Sequence, residues 1–278
     1  MFGLSKPALL AALIAGIAGS ASAADLYEPP VVEAPPPVVY QEANGWYLRG
    51  DIDYHWAKLR GTEYITYGCC GVVTPGTDDF DTTSLKGSFS LGAGVGYQIN
   101  RYLRTDLTAD YWFKSDFNGT TSGTCGGVAC TSVDSSSYSA FLLLANAYAD
   151  LGTWYGVTPY VGAGIGGAHI AWGDLINDDN INPAPIVHPG ESSWRFAWAL
   201  MAGASYCLTD NLDLDVGYRF THINGGRMFG YAAGVGPGFD KGFNVHEARA
   251  GLRYSFGGTG RCTPEQVAYE PEPVPVYK

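Results

Sequence analysis

Apolar and polar residues alternate with a period of two along most of this chain, and six segments do so cleanly. In 46–56 the even positions include Trp46, Leu48, Ile52, Tyr54 and Trp56, whereas the odd ones include Arg49, Asp51, Asp53 and His55. Successive side chains of a strand point to opposite faces, so such a segment predicts a β-strand with one apolar and one polar face. In 85–99 the same alternation sets Leu85, Phe89, Leu91, Val95, Tyr97 and Ile99 against Lys86, Ser88, Ser90 and a row of glycines. In 103–113 it sets Leu103, Leu107, Tyr111 and Phe113 against Arg104, Asp106 and Asp110. It recurs in 194–208, where Trp194, Phe196, Trp198 and Leu200 oppose Arg195, Gly203 and Ser205, and in 212–220, where Leu212, Leu214, Val216 and Tyr218 oppose Asp213, Asp215 and Arg219. The last strand opposes Ala248, Ala250, Leu252, Tyr254 and Phe256 to Glu247, Arg249, Gly251 and Arg253. Two further segments, 138–151 and 157–172, are apolar on both faces or Gly-rich, and their facing stays open.

Eight strands result, and the connections between them select the solvent. Short turns lie around Asn100-Arg101, Gly152 to Gly156 and Thr209-Asp210-Asn211, whereas 58–84, 114–137, 173–192 and 223–242 read as long polar loops. Short turns alternating with long loops, strands of about 10 residues and aromatics near strand ends are the marks of an outer-membrane barrel. A soluble sandwich or lipocalin-like barrel would bury its apolar face and turn a Lys- and Glu-rich face to water. Here the polar face carries little Lys or Glu and much Gly and Ser, which suits a narrow interior. The expected fold is all-β: an eight-stranded antiparallel up-and-down transmembrane β-barrel over 44–256.

Composition agrees. Of 278 residues 38 are glycine and only 15% are charged, while 46% are hydrophobic, too many for a disordered polar chain. A net charge of −11 excludes a phosphate-backbone binder, so no nucleic-acid partner is expected. Lys6, the apolar stretch Ala8 to Ala18 and the small residues Gly19 to Ala23 form a secretory signal peptide over 1–23, too short to span a membrane. A Pro-rich linker (24–43) and a Pro- and Glu-rich tail (257–278) flank the barrel, both expected on the periplasmic side. Export to an oxidising compartment implies that the six cysteines pair. Cys207 and Cys262 fall at the same end of the barrel and are expected to bridge. Cys125 and Cys130 share one outer loop and can close a small ring, or pair with Cys69 and Cys70 of another loop; the sequence leaves both connectivities open.

The inward-facing set holds the candidate chemistry. Arg49, Lys86, Arg104, Arg195, Arg219, Arg249 and Arg253 face Asp51, Asp53, Asp106, Asp110, Asp213, Asp215 and Glu247, seven against seven, for a neutral lumen. Charges in so narrow a space must pair or be hydrated, so the set reads as an ion-pair network that plugs the barrel, with a narrow pore threaded through it as the alternative. No catalytic residue, metal site or cofactor is expected. Nucleophile-elbow, zincin and Cys-x-x-Cys patterns are missing, and His55, His169, His188, His222 and His246 read as rim or loop residues rather than as a lipid-modifying centre or a haem site.

Several motifs together carry a family resemblance. The Ala24-Asp25 start after the signal, the Pro-rich linker, Gly45-Trp46-Tyr47-Leu48-Arg49-Gly50, Thr158-Pro159-Tyr160-Val161-Gly162-Ala163-Gly164 and Gly251-Leu252-Arg253-Tyr254-Ser255-Phe256 resemble the small alphaproteobacterial outer-membrane immunogenic proteins of the opacity-porin superfamily. The run Arg249-x-Gly251-x-x-Tyr254-x-Phe256 is similar to the signal read by the barrel-insertion machinery, although that signal ordinarily ends its chain and this one continues to Lys278. The resemblance implies an envelope protein in contact with outer-membrane lipid, with loops available for adhesion or ligand binding. It also implies that Ala24, with Asp25 beside it, can be joined to peptidoglycan by L,D-transpeptidases.

Overall fold

The computed structural model describes residues 44–67, 75–125, 127–257 and 262. The signal peptide, the linker with Ala24 and Asp25, Cys69 and Cys70, and nearly all of the tail lie outside the described residues. The described chain is built of strands: β1 (Gly45–Leu59), β2 (Thr62–Thr66), β3 (Gly76–Asp78), β4 (Thr82–Leu85), β5 (Ser88–Gln98), β6 (Leu103–Cys125), β7 (Val128–Asp150), β8 (Val157–Trp172), β9 (Leu175–Asp179), β10 (Ile186–His188), β11 (Ser192–Thr209), β12 (Leu212–Ile223), β13 (Gly226–Phe229), β14 (Val235–Asp240) and β15 (Phe243–Ser255). Eight of them, in the order β1-β5-β6-β7-β8-β11-β12-β15, pair antiparallel, and β15 pairs back onto β1. The eight-stranded barrel expected from the alternation is therefore closed. Closure pairs the backbone groups of each strand with its neighbours around the ring and removes both sheet edges, which a bilayer interior requires.

The facing follows the alternation. Leu48, Ile52, Leu91, Val95, Leu107, Leu143, Val161, Ile165, Leu200, Val216 and Leu252 are all exposed on the outside of the barrel. One girdle of aromatics rings the end where the chain enters and leaves, among them Trp46 stacked edge-on against Tyr97, with Trp154, Tyr206, Tyr254 and Phe256. A second lies toward the loops and pairs histidines with indoles across strands: Trp56 with His246, Trp198 with His222 and Trp194 with His169. From Trp46 to Trp56 are ten steps of strand. At about 3.3 Å each and a tilt of about 40° they rise about 25 Å, the height of a lipid-facing belt.

One expectation changes. The long connections are not open loops but carry strands of their own. β6 and β7 run on as a hairpin to Cys125 and Val128, flanked by β4 on one side and by β9 and β10 on the other. The connections near Thr62–Asp78 and Gly226–Asp240 join in a separate four-stranded sheet, β13-β14-β2-β3. Periodicity hid the long hairpin because the register shifts between Trp112 and Ser115. One extra residue there moves the inward parity of β6 from even (Arg104, Asp106, Asp110, Trp112) to odd (Ser115, Phe117, Gly119).

The belt's boundary gives a test. Leu107 and Val133 are both 62% exposed, the first at mid-belt and the second on the hairpin beyond the aromatic girdle. Leu107→Arg is expected to destabilise the folded barrel in lipid vesicles by about 2–4 kcal/mol, and Val133→Arg by less than about 0.5 kcal/mol, as read from urea unfolding. Equal costs would place the membrane boundary elsewhere.

Candidate functional site

The interior is the site the sequence singles out. Nearly all of its charged residues hang from one contiguous arc of wall, β12-β15-β1-β5-β6, and Asp150 joins them from β7. Odd positions of β1 and β15 and even positions of β6 point inward, so Arg49, Asp51, Asp53, Asp106, Asp110, Glu247, Arg249 and Arg253 converge from three strands. Between β1 and β6 stands β5, which contributes Ser90, Gly92, Gly94 and Gly96 inward and leaves room for the long side chains to cross. Elsewhere in the ring Gly203 and Gly217 sit side by side under Tyr160, where a methyl on either would meet the phenol oxygen at 2.6 or 2.7 Å. Tyr160 can lie flat across the wall because those positions carry no side chain.

The central ion pairs form one chain. Arg49 binds Asp51 through two nitrogens at 2.8 and 2.9 Å and reaches Asp106 at 3.2 Å. Arg249 bridges Asp51 (3.2 Å), Asp53 (3.0 Å) and Asp110 (3.3 Å). Arg219 donates to Asp110 at 2.9 Å and grips Glu247 with Nε and Nη2, the latter at 2.8 Å. Toward the end where β1 begins and β15 finishes, Arg104 pairs with Asp150 at 3.1 Å between the rings of Tyr148 and Tyr160, and Arg253 pairs with Asp213 at 2.8 Å over the ring of Tyr47. Asp215 accepts from Ser205 and lies 3.7 Å from Arg253. Arg195 is buried too, but it pairs with Asp240 at the loop end, at 2.6 Å, apart from the main chain of ions.

Lys86 does not belong to this network. β5 begins only at Ser88, so residue 86 lies past the last inward position of the strand. Its ammonium pairs with Asp116 at 2.9 Å on the surface, its side chain 68% exposed. Asp150 lies near the end of the segment 138–151, whose facing the alternation leaves open, and Asp240 lies in 223–242, which reads as a loop. With Lys86 out and Asp150 in, and Arg195 turned to Asp240, the lumen among the described residues holds five arginines (49, 104, 219, 249, 253) against eight carboxylates (51, 53, 106, 110, 150, 213, 215, 247). The expected neutral set is corrected to an acidic one. Neutral donors carry part of the excess: Asp106 accepts from Tyr47, Tyr148 and Asn146, and Asp150 from Gln98.

The middle of the remaining wall is apolar, where β7, β8 and β11 turn Leu142, Leu144, Ala168, Ala197, Ala199 and Met201 inward. Above the ions the section becomes mostly apolar, with Trp112, Phe117, Tyr138, Ile170, Trp172, Ile223, Phe243 and Val245 all buried and the Arg195–Asp240 pair set against Phe243. His55 stands at this boundary, buried, its ring stacked on Trp112 at 4.6 Å. His169, His222 and His246 face outward and His188 lies among the loop-end strands, so the five histidines do not assemble into one centre.

The disulfide Cys207–Cys262 is present and ties the segment after β15 to the end of β11. Cys130 is also disulfide-bonded; its partner, and the side chain of Cys125, lie outside what is described. Of the assembly-signal residues, Arg249 faces the lumen, Gly251 packs beside Asp51, and Tyr254 and Phe256 form an edge-on pair on the outer girdle.

The family model described as an outer membrane protein beta-barrel domain matches residues 9–256. An uncharacterized protein of Brucella abortus (strain 2308) is 40% identical over 290 residues, covering 91% of this chain and 100% of that protein. Outer membrane protein PagN of Salmonella typhimurium is 26% identical over 149 residues, covering 51% of this chain and 60% of its own. Among solved structures, Neisserial surface protein A aligns at 21% identity and a TM-score of 0.40, covering 76% of this chain and 97% of that one. OprG from Pseudomonas aeruginosa aligns at 16% identity and a TM-score of 0.42, covering 77% and 98%.

Breaking a buried pair leaves an uncompensated charge, which costs far more than losing a surface pair. Arg219→Met, which leaves Glu247 without its arginine and Asp110 with only Arg249, is expected to destabilise the barrel by about 3–5 kcal/mol. Lys86→Ala is expected to cost no more than about 1 kcal/mol. Vesicle unfolding titrations of the two variants measure both, and comparable losses would mean that the interior charges are hydrated rather than paired.

Proposed function

The chain belongs to the outer-membrane β-barrel family, and on that footing we propose that it is a structural envelope protein whose barrel is a closed anchor in the outer membrane. The observation that carries this reading is the filled interior. Arg104, Arg219 and Arg253, each no more than 1% exposed, are all paired with carboxylates, Arg219 reaching across the section from β12 to Asp110 on β6, and an apolar layer from Trp112 to Phe243 sits above them. A conducting lumen needs hydrated charges along a continuous path, and the pairing of these groups with one another favours a plug over a pore.

The anchor has two other working parts. Above the membrane the strands extend as stiff hairpins, which hold an acidic, Tyr- and Gly-rich surface outward for contact with the surroundings. Below it, the Pro-rich segment 24–43 is a spacer, and Ala24 with Asp25 forms the end that an L,D-transpeptidase would join to peptidoglycan. The run of Arg249, Gly251, Tyr254 and Phe256 serves the barrel-insertion machinery, with Tyr254 and Phe256 on the lipid side where an assembly partner can read them.

Detergent-boiled sacculi from cells making the protein test the linkage. The expected result is an N-terminal peptide beginning at Ala24 that remains bound to the purified wall; sacculi free of it contradict the covalent link. Deletion of the gene is expected to sensitise cells to detergent without slowing uptake of small solutes. A selective loss of uptake would instead support a channel.

A further inference from the structure

Above the apolar plug the two loop-end sheets face each other and enclose a cavity of about 810 Å³. One wall is β13-β14-β2-β3; the other is the β6–β7 hairpin continued through β9 and β10. A volume of this size matches a small-molecule site. Tyr64, Phe80, Leu175 and Phe229 supply apolar surface, with Phe80 edge-on to both Tyr64 and Phe229. Three aspartates line the cavity and, among the described residues, no lysine or arginine does.

Two of its polar groups are built differently from a solvated rim. Asp134 is fully buried. Its carboxylate accepts from Ser132 at 3.2 Å, from Asn177 at 2.5 Å and from the Thr121 hydroxyl, with no cation beside it among the described residues. A carboxylate has about four acceptor sites, more than these three neutral donors fill. His188 is 4% exposed, and its Nδ1 lies 3.3 Å from the carbonyl oxygen of Gly230. A carbonyl only accepts, so Nδ1 carries the proton and Nε2 keeps its lone pair. Nε2 has no partner among the described residues, and His188 lines the cavity. Burial pushes the imidazole below its usual range, which holds it neutral, and pushes the Asp134 carboxyl up, a penalty that an incoming positive charge relieves.

Register sets the spacing between the two groups. Asp134 pairs with Asn177 and Asn177 with Ile186, while His188 is two residues beyond Ile186 on the same face. Two strand spacings of about 4.8 Å and two residues of about 3.4 Å place their Cα atoms about 12 Å apart, so inward-reaching side chains leave space for one small molecule between them. Both ends accept hydrogen bonds and the middle is apolar.

We infer that this cavity binds a small organic cation: an ammonium that donates to Asp134, an aromatic body against Leu175 and Phe229, and a hydroxyl that donates to Nε2 of His188. Tyramine carries all three features. Tyrosol replaces its ammonium with a hydroxyl, and 2-phenylethylamine removes its phenol.

Calorimetric titration of the folded, full-length protein in detergent micelles tests the assignment. Tyramine is expected to bind saturably, tyrosol at least about tenfold more weakly, and Asp134→Asn to lose about tenfold or more for tyramine. His188→Ala is expected to weaken tyramine and leave 2-phenylethylamine unchanged, which a general loosening of the loops would not do. Tyrosol binding as tightly as tyramine overturns the assignment, as does an unaltered affinity in Asp134→Asn or no saturable binding of tyramine up to about 1 mM. The comparison of amines and alcohol on the native protein decides the question even where a variant fails to show the folded, heat-sensitive gel migration.

Discussion

An eight-stranded barrel encloses little more than the side chains of its own wall, so a charge pointing inward loses bulk water and must find its partner within that wall. The rest of the structure follows from this constraint. Arg219 can be buried because Asp110 and Glu247 approach it from β6 and β15, and Arg249 because Asp51, Asp53 and Asp110 surround it. The glycines of β5 are required by the same geometry: side chains on β1 and β6 cross the space that residues at 92, 94 and 96 would otherwise fill. Remove the constraint, and neither the glycine content nor the sparse, concentrated charge of the chain has a structural reason.

The section is divided rather than uniform. The ionic arc occupies β12 through β6 with Asp150 added from β7, the upper part of the opposing wall is apolar, and above both lies an aromatic layer between the ions and the loop-end sheets. Burying ions against Leu142 and Leu144 lowers the local dielectric, which strengthens each pair and makes each missing partner costlier. The acidic imbalance, eight carboxylates to five arginines, is met in part by phenol, amide and hydroxyl donors. Tyr47, Tyr148 and Asn146 are therefore as much part of the plug as the arginines.

Much of this was legible because period two is a direct image of facing. Arg49, Asp51, Asp53, Asp106 and Arg249 were placed inward by parity alone, and the structure brings them together. What escaped has local causes. Lys86 shares the parity of β5 but precedes its first residue, and parity has no meaning outside a strand. Asp150 shares the parity of Asn146 and Tyr148, a signal present in 138–151 but masked by leucines on the inward face. The β6–β7 hairpin was hidden by one extra residue after Trp112, which flips the pattern halfway along a 23-residue strand. Asp134 and His188 are brought to one cavity only by the pairing of β7, β9 and β10, which no local pattern encodes.

Planar-bilayer recording of the purified, refolded barrel is the most direct test of the claim that paired charges close the lumen. The wild-type protein should insert without steady single-channel openings, and replacing Arg219, Arg249 and Asp110 together by alanine should create them. Steady openings of the wild type, with a conductance that the triple replacement leaves unchanged, would contradict the account.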